Sequence, residues 1–205
     1  SVNNEAGFVE MDAGIFRGRD RAAGAVANLK EGSAIKKALQ VLNEGRHVLI
    51  SYGGTARYEG TGSENLETIG AVSVSRDGDS SAAASTGGIR GKKVGRIGDS
   101  AIPGAGFYAL MGVGGTALTG IGEQNIRCLT AYRIVESIKE KNPLAAIKKV
   151  FADVKSEIGE LNQGAIAADV RLRLAAYTTE EIMPVCFVKK DIKKCSMEPG
   201  EGILL

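Results

Sequence analysis

ENLETIGAVSVSRDGDSSAAASTGG, residues 64–88, is the stretch whose reading decides the architecture. From Thr68 onward, Ile69, Ala71, Val72 and Val74 are apolar with Ser73 and Ser75 interleaved, which is a strand pattern. Arg76-Asp77-Gly78-Asp79 supplies a turn, and residues 80–86 (SSAAAST) read as the returning strand. The stretch therefore predicts an antiparallel hairpin. What precedes it differs in kind. Residues 52–66 are glycine-rich and polar, an expected exposed loop, and loop gives way to strand between Glu67 and Thr68. Taken alone, Thr68 is an ordinary β-branched residue leading a strand.

Working outward, residues 8–16 (FVEMDAGIF) and 21–29 (RAAGAVANL) read as two more strands. Residues 33–45 have Ile35, Ala38, Leu39 and Leu42 at helical spacing, with Ser33 as N-cap and Gly45 as C-cap. Residues 47–51 (HVLIS) read as a short buried strand or its edge. Downstream, a glycine-rich loop is expected to about residue 115. Residues 123–141 predict one amphipathic helix with Ile126, Leu129, Thr130, Tyr132, Ile134 and Ile138 near one side; residues 143–161 predict a second, with Pro143 in its first turn. Residues 164–179 look like a hairpin and 183–191 a final strand. Strands, then helices, then strands predict an α+β chain with two antiparallel sheet layers covered by helices, not a doubly wound parallel sheet.

Composition removes several functions. The chain has 205 residues, 43% apolar and 24% charged, enough for one sizeable soluble domain. A net charge of +2 and the absence of Trp argue against nucleic acid or an acidic membrane as partner. No apolar run reaches the length of a membrane span, and residues 1–30 do not resemble a signal peptide. Cys128, Cys186 and Cys195 fit neither a disulfide framework nor a metal site. Reduced thiols and a cytoplasmic location are the expectation, with a Cys186–Cys195 bridge as the alternative, and no metal is expected. His47 is the only histidine, and its apolar neighbours suggest a structural role. A Ser–His–Asp or Cys–His enzyme would have to run through it, so acyl transfer here needs another base.

Three short segments embed polar residues among glycines: STGG (85–88), GRIGDS (95–100) and TGIGE (119–123). Gly104, Gly106 and Ala109 also match a loose GxGxxA, but no regular βαβ unit surrounds them, which argues against dinucleotide binding. Glycine-rich loops without any ligand are the plain alternative.

Taken in order, ETIGAVSV, AAASTGG, VGRIGDSAIPGAG and TGIGEQNIR closely resemble the threonine-nucleophile asparaginases. That family includes plant-type L-asparaginase/isoaspartyl peptidase, glycosylasparaginase and taspase. SVNNEAGFVEMDAGI and AGAVANL look like the segment these proteins carry before their cleavage loop, and the likeness is collinear from Ser1 to about Met183. It implies a four-layer αββα sandwich of the N-terminal nucleophile hydrolase type. It also implies autocatalytic cleavage between Glu67 and Thr68, giving an α-like part (1–67) and a β-like part (68–205) that assemble as a dimer of αβ units. Thr68 would be the nucleophile, and its freed α-amine, of pKa about 7.7–8.0, the missing base. By the same resemblance Thr86 would tune the Thr68 hydroxyl, and Thr119 with the Gly120 N–H would form the oxyanion hole. Arg96 would hold a substrate α-carboxylate and Asp99 the α-ammonium, with Gly122 and Gly88 lining that site. The implied reaction is hydrolysis of a β-aspartyl amide with no cofactor.

Within the family, GRIGDS argues against the taspase branch, and STGG resembles the asparaginase/isoaspartyl peptidase branch. GDSAIPGAG also resembles glycosylasparaginase, which stays open as an alternative substrate class. Two departures stand out. The resemblance implies a first strand with an HGGAG-like motif and a monovalent-cation loop ahead of Ser1, neither of which is in this sequence. Glu67 stands where the family generally has Gly or Asp, which leaves open an uncut homologue that binds without turnover. Ser1 as an N-terminal nucleophile is the weakest alternative, because no substrate-binding motif surrounds it.

Overall fold

The computed structural model of this chain describes residues 3–52, 68–190, 192–200 and 202–205. Its first sheet is built from β1 (Met11–Arg17), β2 (Ala22–Leu29), β3 (Leu49–Ser51), β4 (Thr68–Val74) and β5 (Ser80–Thr86), in the order β3-β2-β1-β5-β4. The β4–β5 hairpin forms as its sequence dictates: Thr68 lies opposite Thr86 and Val74 opposite Ser80. Gly78 takes φ 84° in the turn, a conformation that costs glycine nothing. β3 departs from the all-antiparallel expectation. It runs parallel to β2, reached through helix α1 (Ala34–Glu44), which ends at Gly45 with φ 63°.

Next come β6 (Phe107–Leu110), β7 (Gly114–Gly120), α2 (Gly122–Cys128), α3 (Thr130–Ile138) and α4 (Pro143–Ile158). They are followed by β8 (Gln163–Asp169), β9 (Leu174–Thr178), β10 (Val185–Lys189), β11 (Ile192–Ser196) and β12 (Ile203–Leu204). The second sheet has the order β12-β9-β8-β7-β6 and is antiparallel throughout, while β10 and β11 pair as a separate ribbon. Helix α1 packs on β1 and β2 of the first sheet, and α3 and α4 pack on the second.

The two sheets meet through small residues. Ala82, Ala84, Ala109 and Ala117 are buried between them with Phe16 and Phe107. Gly14 makes room for Phe107: a Cβ there would sit 2.1 Å from the ring's Cζ. This close approach explains why residues 107 to about 115 resemble loop in sequence. Their glycines and alanines let one sheet lie on the other, so the segment is two strands rather than irregular chain.

Three further expectations are corrected. The helix expected over 123–141 is broken at Leu129, whose φ of 49° separates α2 from α3. His47 is exposed, as are Val48 and Leu49, because β3 is an edge strand rather than a buried one. Cys186 and Cys195 are directly opposite across β10–β11 and are disulfide-bonded, so only Cys128 is a free thiol. The expected final strand at 183–191 is likewise the first arm of that ribbon. Residues 53–67, and with them the expected loop and Glu67, lie outside the described residues. Among the described residues no helix is long and apolar enough to cross a membrane.

Candidate active site

Thr68 begins β4 at the end of the first sheet, beside the last residue of β5. Its hydroxyl donates to Thr86 Oγ1 at 3.4 Å, and Thr86 Oγ1 also accepts the Gly88 N–H at 3.0 Å. The hairpin register thus places two hydroxyls together, and the glycine turn after β5 orients the second one. Across the gap, β4 packs on β7, whose end carries Thr119 and Gly120. Gly120 has φ 116°, and a Cβ there would meet the Asn162 carbonyl oxygen at 2.1 Å. Only glycine fits that backbone.

Both strand ends open into a cavity of about 660 Å3, lined by Thr68, Thr86, Gly88, Thr119, Gly120, Arg96 and Asp99. Seven of the eight residues given a catalytic or substrate-binding role from the sequence therefore line one cavity. Gly122, the eighth, touches the charged pair: a Cβ on it would lie 2.9 Å from both Arg96 Nη2 and Asp99 Oδ1. Glu67, the expected residue before the cut, is outside the described residues.

Asp99 sits in a single 3-10 turn (Asp99–Ala101) and is 6% exposed. Burial raises its pKa to about 6 against the Asn125 hydrogen bond and the Arg96 charge, which favour the ionised form, while Glu123 adds to the rise. Asn125 is fully buried and donates Nδ2 to Asp99 Oδ2 at 2.7 Å. Arg96 is gripped from one side: Glu123 accepts from its Nε and Nη2, both at 2.8 Å. That fork uses the Nε–Nη2 edge of the guanidinium, and among the described residues nothing hydrogen-bonds Nη1. The ion pair holds Arg96 charged against its burial and pulls the Glu123 carboxyl down.

The loop carrying these groups is braced from beneath by charges that the sequence reading missed. Asp12, fully buried in β1, accepts the Gly98 N–H at 2.7 Å and the Asn28 N–H at 3.0 Å. Burial raises its carboxyl despite those two bonds and the nearby Lys92 and Arg96 charges. Lys92, 3% exposed, donates Nζ to the Glu10 carbonyl at 2.7 Å, and burial lowers its ammonium. Gly88 leaves it room, since a Cβ there would stand 2.7 Å from Lys92 Nζ. Buried Glu10 accepts the Gly95 N–H at 3.1 Å. The available signal was a pair of acids, Glu10 and Asp12, set inside an apolar strand pattern. Glu123 was visible in TGIGE but carried no assigned role.

The cavity thus brings together the hydrogen-bonded hydroxyls of Thr68 and Thr86, a third threonine followed by a glycine backbone at Thr119-Gly120, and the oppositely charged side chains Arg96 and Asp99. The family model described as Asparaginase matches residues 1–61 and 56–197. A plant-type L-asparaginase from Pyrobaculum calidifontis is 34% identical over 84% of this chain and 71% of its own length. An isoaspartyl peptidase/L-asparaginase from Xenopus laevis is 31% identical over 98% of this chain and 76% of its own. An N(4)-(β-N-acetylglucosaminyl)-L-asparaginase from Rattus norvegicus is 37% identical over 51% of this chain and 30% of its own. With a model matching most of its length, and the motif residues gathered around one cavity, this chain belongs to the asparaginase family.

Proposed function

We propose that this protein hydrolyses the side-chain amide or isopeptide bond of L-asparagine or β-aspartyl peptides, with Thr68 as nucleophile once the chain is cut before it. The observation that carries this reading is the single cavity holding Thr68, Thr86 and Thr119-Gly120 together with Arg96 and Asp99. The substrate's α-carboxylate would take the open edge of Arg96 and its α-ammonium Asp99, bringing the β-carbonyl to Thr68. Thr68 Oγ attacks that carbon and its proton passes to the Thr68 α-amine, which near neutral pH is a competent base. Thr119 and the Gly120 N–H stabilise the oxyanion. The amine's proton then goes to the leaving nitrogen, the C–N bond breaks, and a β-aspartyl ester remains. Water attacks the ester, giving a proton to the amine and its oxygen to the carbonyl. Thr68 Oγ leaves with that proton and L-aspartate is released.

The chemistry needs no cofactor, because nucleophile and base belong to one residue. Two facing sheets, with α1 against one and α3 and α4 against the other, suit the four-layer αββα sandwich of N-terminal nucleophile hydrolases. The family resemblance extends the reading to an α-like part (1–67), a β-like part (68–205) and a dimer of such αβ units. The test is aspartate release from L-asparagine, β-aspartyl-leucine and N-acetylglucosaminyl-asparagine, by the native protein and by Thr68→Ala. Activity confined to the first two and lost in Thr68→Ala is expected. Full activity in Thr68→Ala would overturn the assignment, and preference for the glycosylated substrate would move the protein to the other branch.

A further inference from the structure

The head of an aspartyl substrate does not fill the cavity. Asp99 and Arg96 lie on the β6 side of the β7 end, where Asp99 abuts Gly106 just before β6. On the other side, past β8, the chain leaving β9 contributes Glu180, Glu181 and Ile182 to the same cavity. The Glu180 N–H donates to Thr178 Oγ1 at 3.0 Å, which ties this turn to the end of β9. A substrate held by its α-groups at Arg96 and Asp99, with its carbonyl at Thr68 and Thr119, therefore sends its leaving amine toward residues 180–182.

That end has a distinct chemistry. Ile182, 60% exposed, stands there beside the two glutamates, and Ile89 and Ile121, 39% and 38% exposed, line the same cavity as large apolar side chains left open to solvent. Ammonia, the leaving group of L-asparagine, has no use for them. Glu180 and Glu181 are exposed carboxylates, and Arg96, the one cationic side chain among the described lining residues, is already engaged by Glu123. Counting Asp99, the wall carries an excess of negative charge that favours a cation and repels an anion.

We propose that this end is a leaving-group site selecting β-aspartyl conjugates whose amine component has an aliphatic, positively charged side chain. The inference rests on the β-aspartyl hydrolase reading above. The aliphatic stem would lie along the isoleucines and the ammonium or guanidinium would reach Glu180 and Glu181.

The experiment compares kcat/KM for β-aspartyl-lysine, β-aspartyl-leucine and β-aspartyl-glutamate, which differ only in the side chain of the leaving residue. Lysine over leucine over glutamate is expected, with lysine ahead of glutamate by about tenfold at low salt and by less at high salt. The Glu180→Gln/Glu181→Gln double variant should bring lysine and glutamate level, each read relative to β-aspartyl-leucine with the same variant. Equal lysine and glutamate rates in the native protein, or a preference that survives the double variant, would overturn the proposal. Hydrolysis of β-aspartyl-leucine in those cases keeps the underlying activity. Cleavage of none of the three would sink both.

Discussion

Replacing Asp99 with asparagine should make the protein more stable relative to the native chain as pH rises, while disabling it. The Asp99 carboxyl moves from 3.8 to about 6 because it is buried. The difference, about 2 on the pH scale, corresponds to roughly 3 kcal/mol at about 1.36 kcal/mol per unit. The folded-state pKa lies above the unfolded one, so the native state holds the proton more tightly. Stability therefore falls as pH rises from about 4 to 6, and the full cost stands above pH 6. About 2 kcal/mol of it is incurred between pH 4.5 and 7.5. Asparagine keeps the shape and can still accept from Asn125, but it does not titrate. Urea unfolding of both proteins at pH 4.5 and 7.5 should show Asp99→Asn gaining about 2 kcal/mol on the native chain over that interval. Its kcat/KM should fall roughly 10- to 100-fold, because the substrate ammonium loses a charged partner. In the native enzyme, log kcat/KM should fall with unit slope below the Thr68 amine's pKa, about 7.7–8.0, and with slope two below about 6. A stability gap that is constant with pH, or that shifts toward the native chain at pH 7.5, would refute the reasoning.

Other perturbations have distinct signatures. Gly122→Ala places a Cβ 2.9 Å from Arg96 Nη2 and Asp99 Oδ1, so KM should rise at least about tenfold. Unaltered KM would show that the substrate head binds elsewhere. Glu123→Gln removes the charge that holds one edge of Arg96, and KM should rise about fivefold with kcat nearly unchanged. A lower KM would mean that Glu123 competes with the substrate for the guanidinium. Cys186→Ser/Cys195→Ser opens a short loop across β10–β11 and should cost about 2–3 kcal/mol in thermal or urea unfolding, checked against reduction of the native protein. No loss would place that ribbon outside the cooperative unit.

What could be read from the residues follows from how each signal is encoded. The β4–β5 hairpin was legible because a period of two meets Asp77-Gly78 at the turn. Helices α1 and α4 were legible from their spacing and end residues, Gly45 and Pro143. β6 and β7 were not, since their small residues answer to the other sheet: a Cβ on Gly115 would stand 3.2 Å from Val72 Cγ1. Nothing in the local sequence marks the break at Leu129, where a non-glycine residue takes φ 49°. The cavity-lining threonines, Arg96 and Asp99 were legible as motifs in a fixed order. Glu10, Asp12, Lys92 and Asn125 were not, because charged and amide side chains read as surface until the fold buries them with partners. The cysteine pair was misread for a related reason. Only the β10–β11 register sets residues 186 and 195 opposite each other.

The central claim is that Thr68 becomes an N-terminal residue whose own amine activates it. Intact mass measurement of the freshly purified protein under denaturing conditions tests this most directly. The account predicts two fragments, one ending at Glu67 and one beginning at Thr68, with Thr68→Ala remaining a single chain. A native protein that stays one uncut chain while releasing aspartate would contradict it.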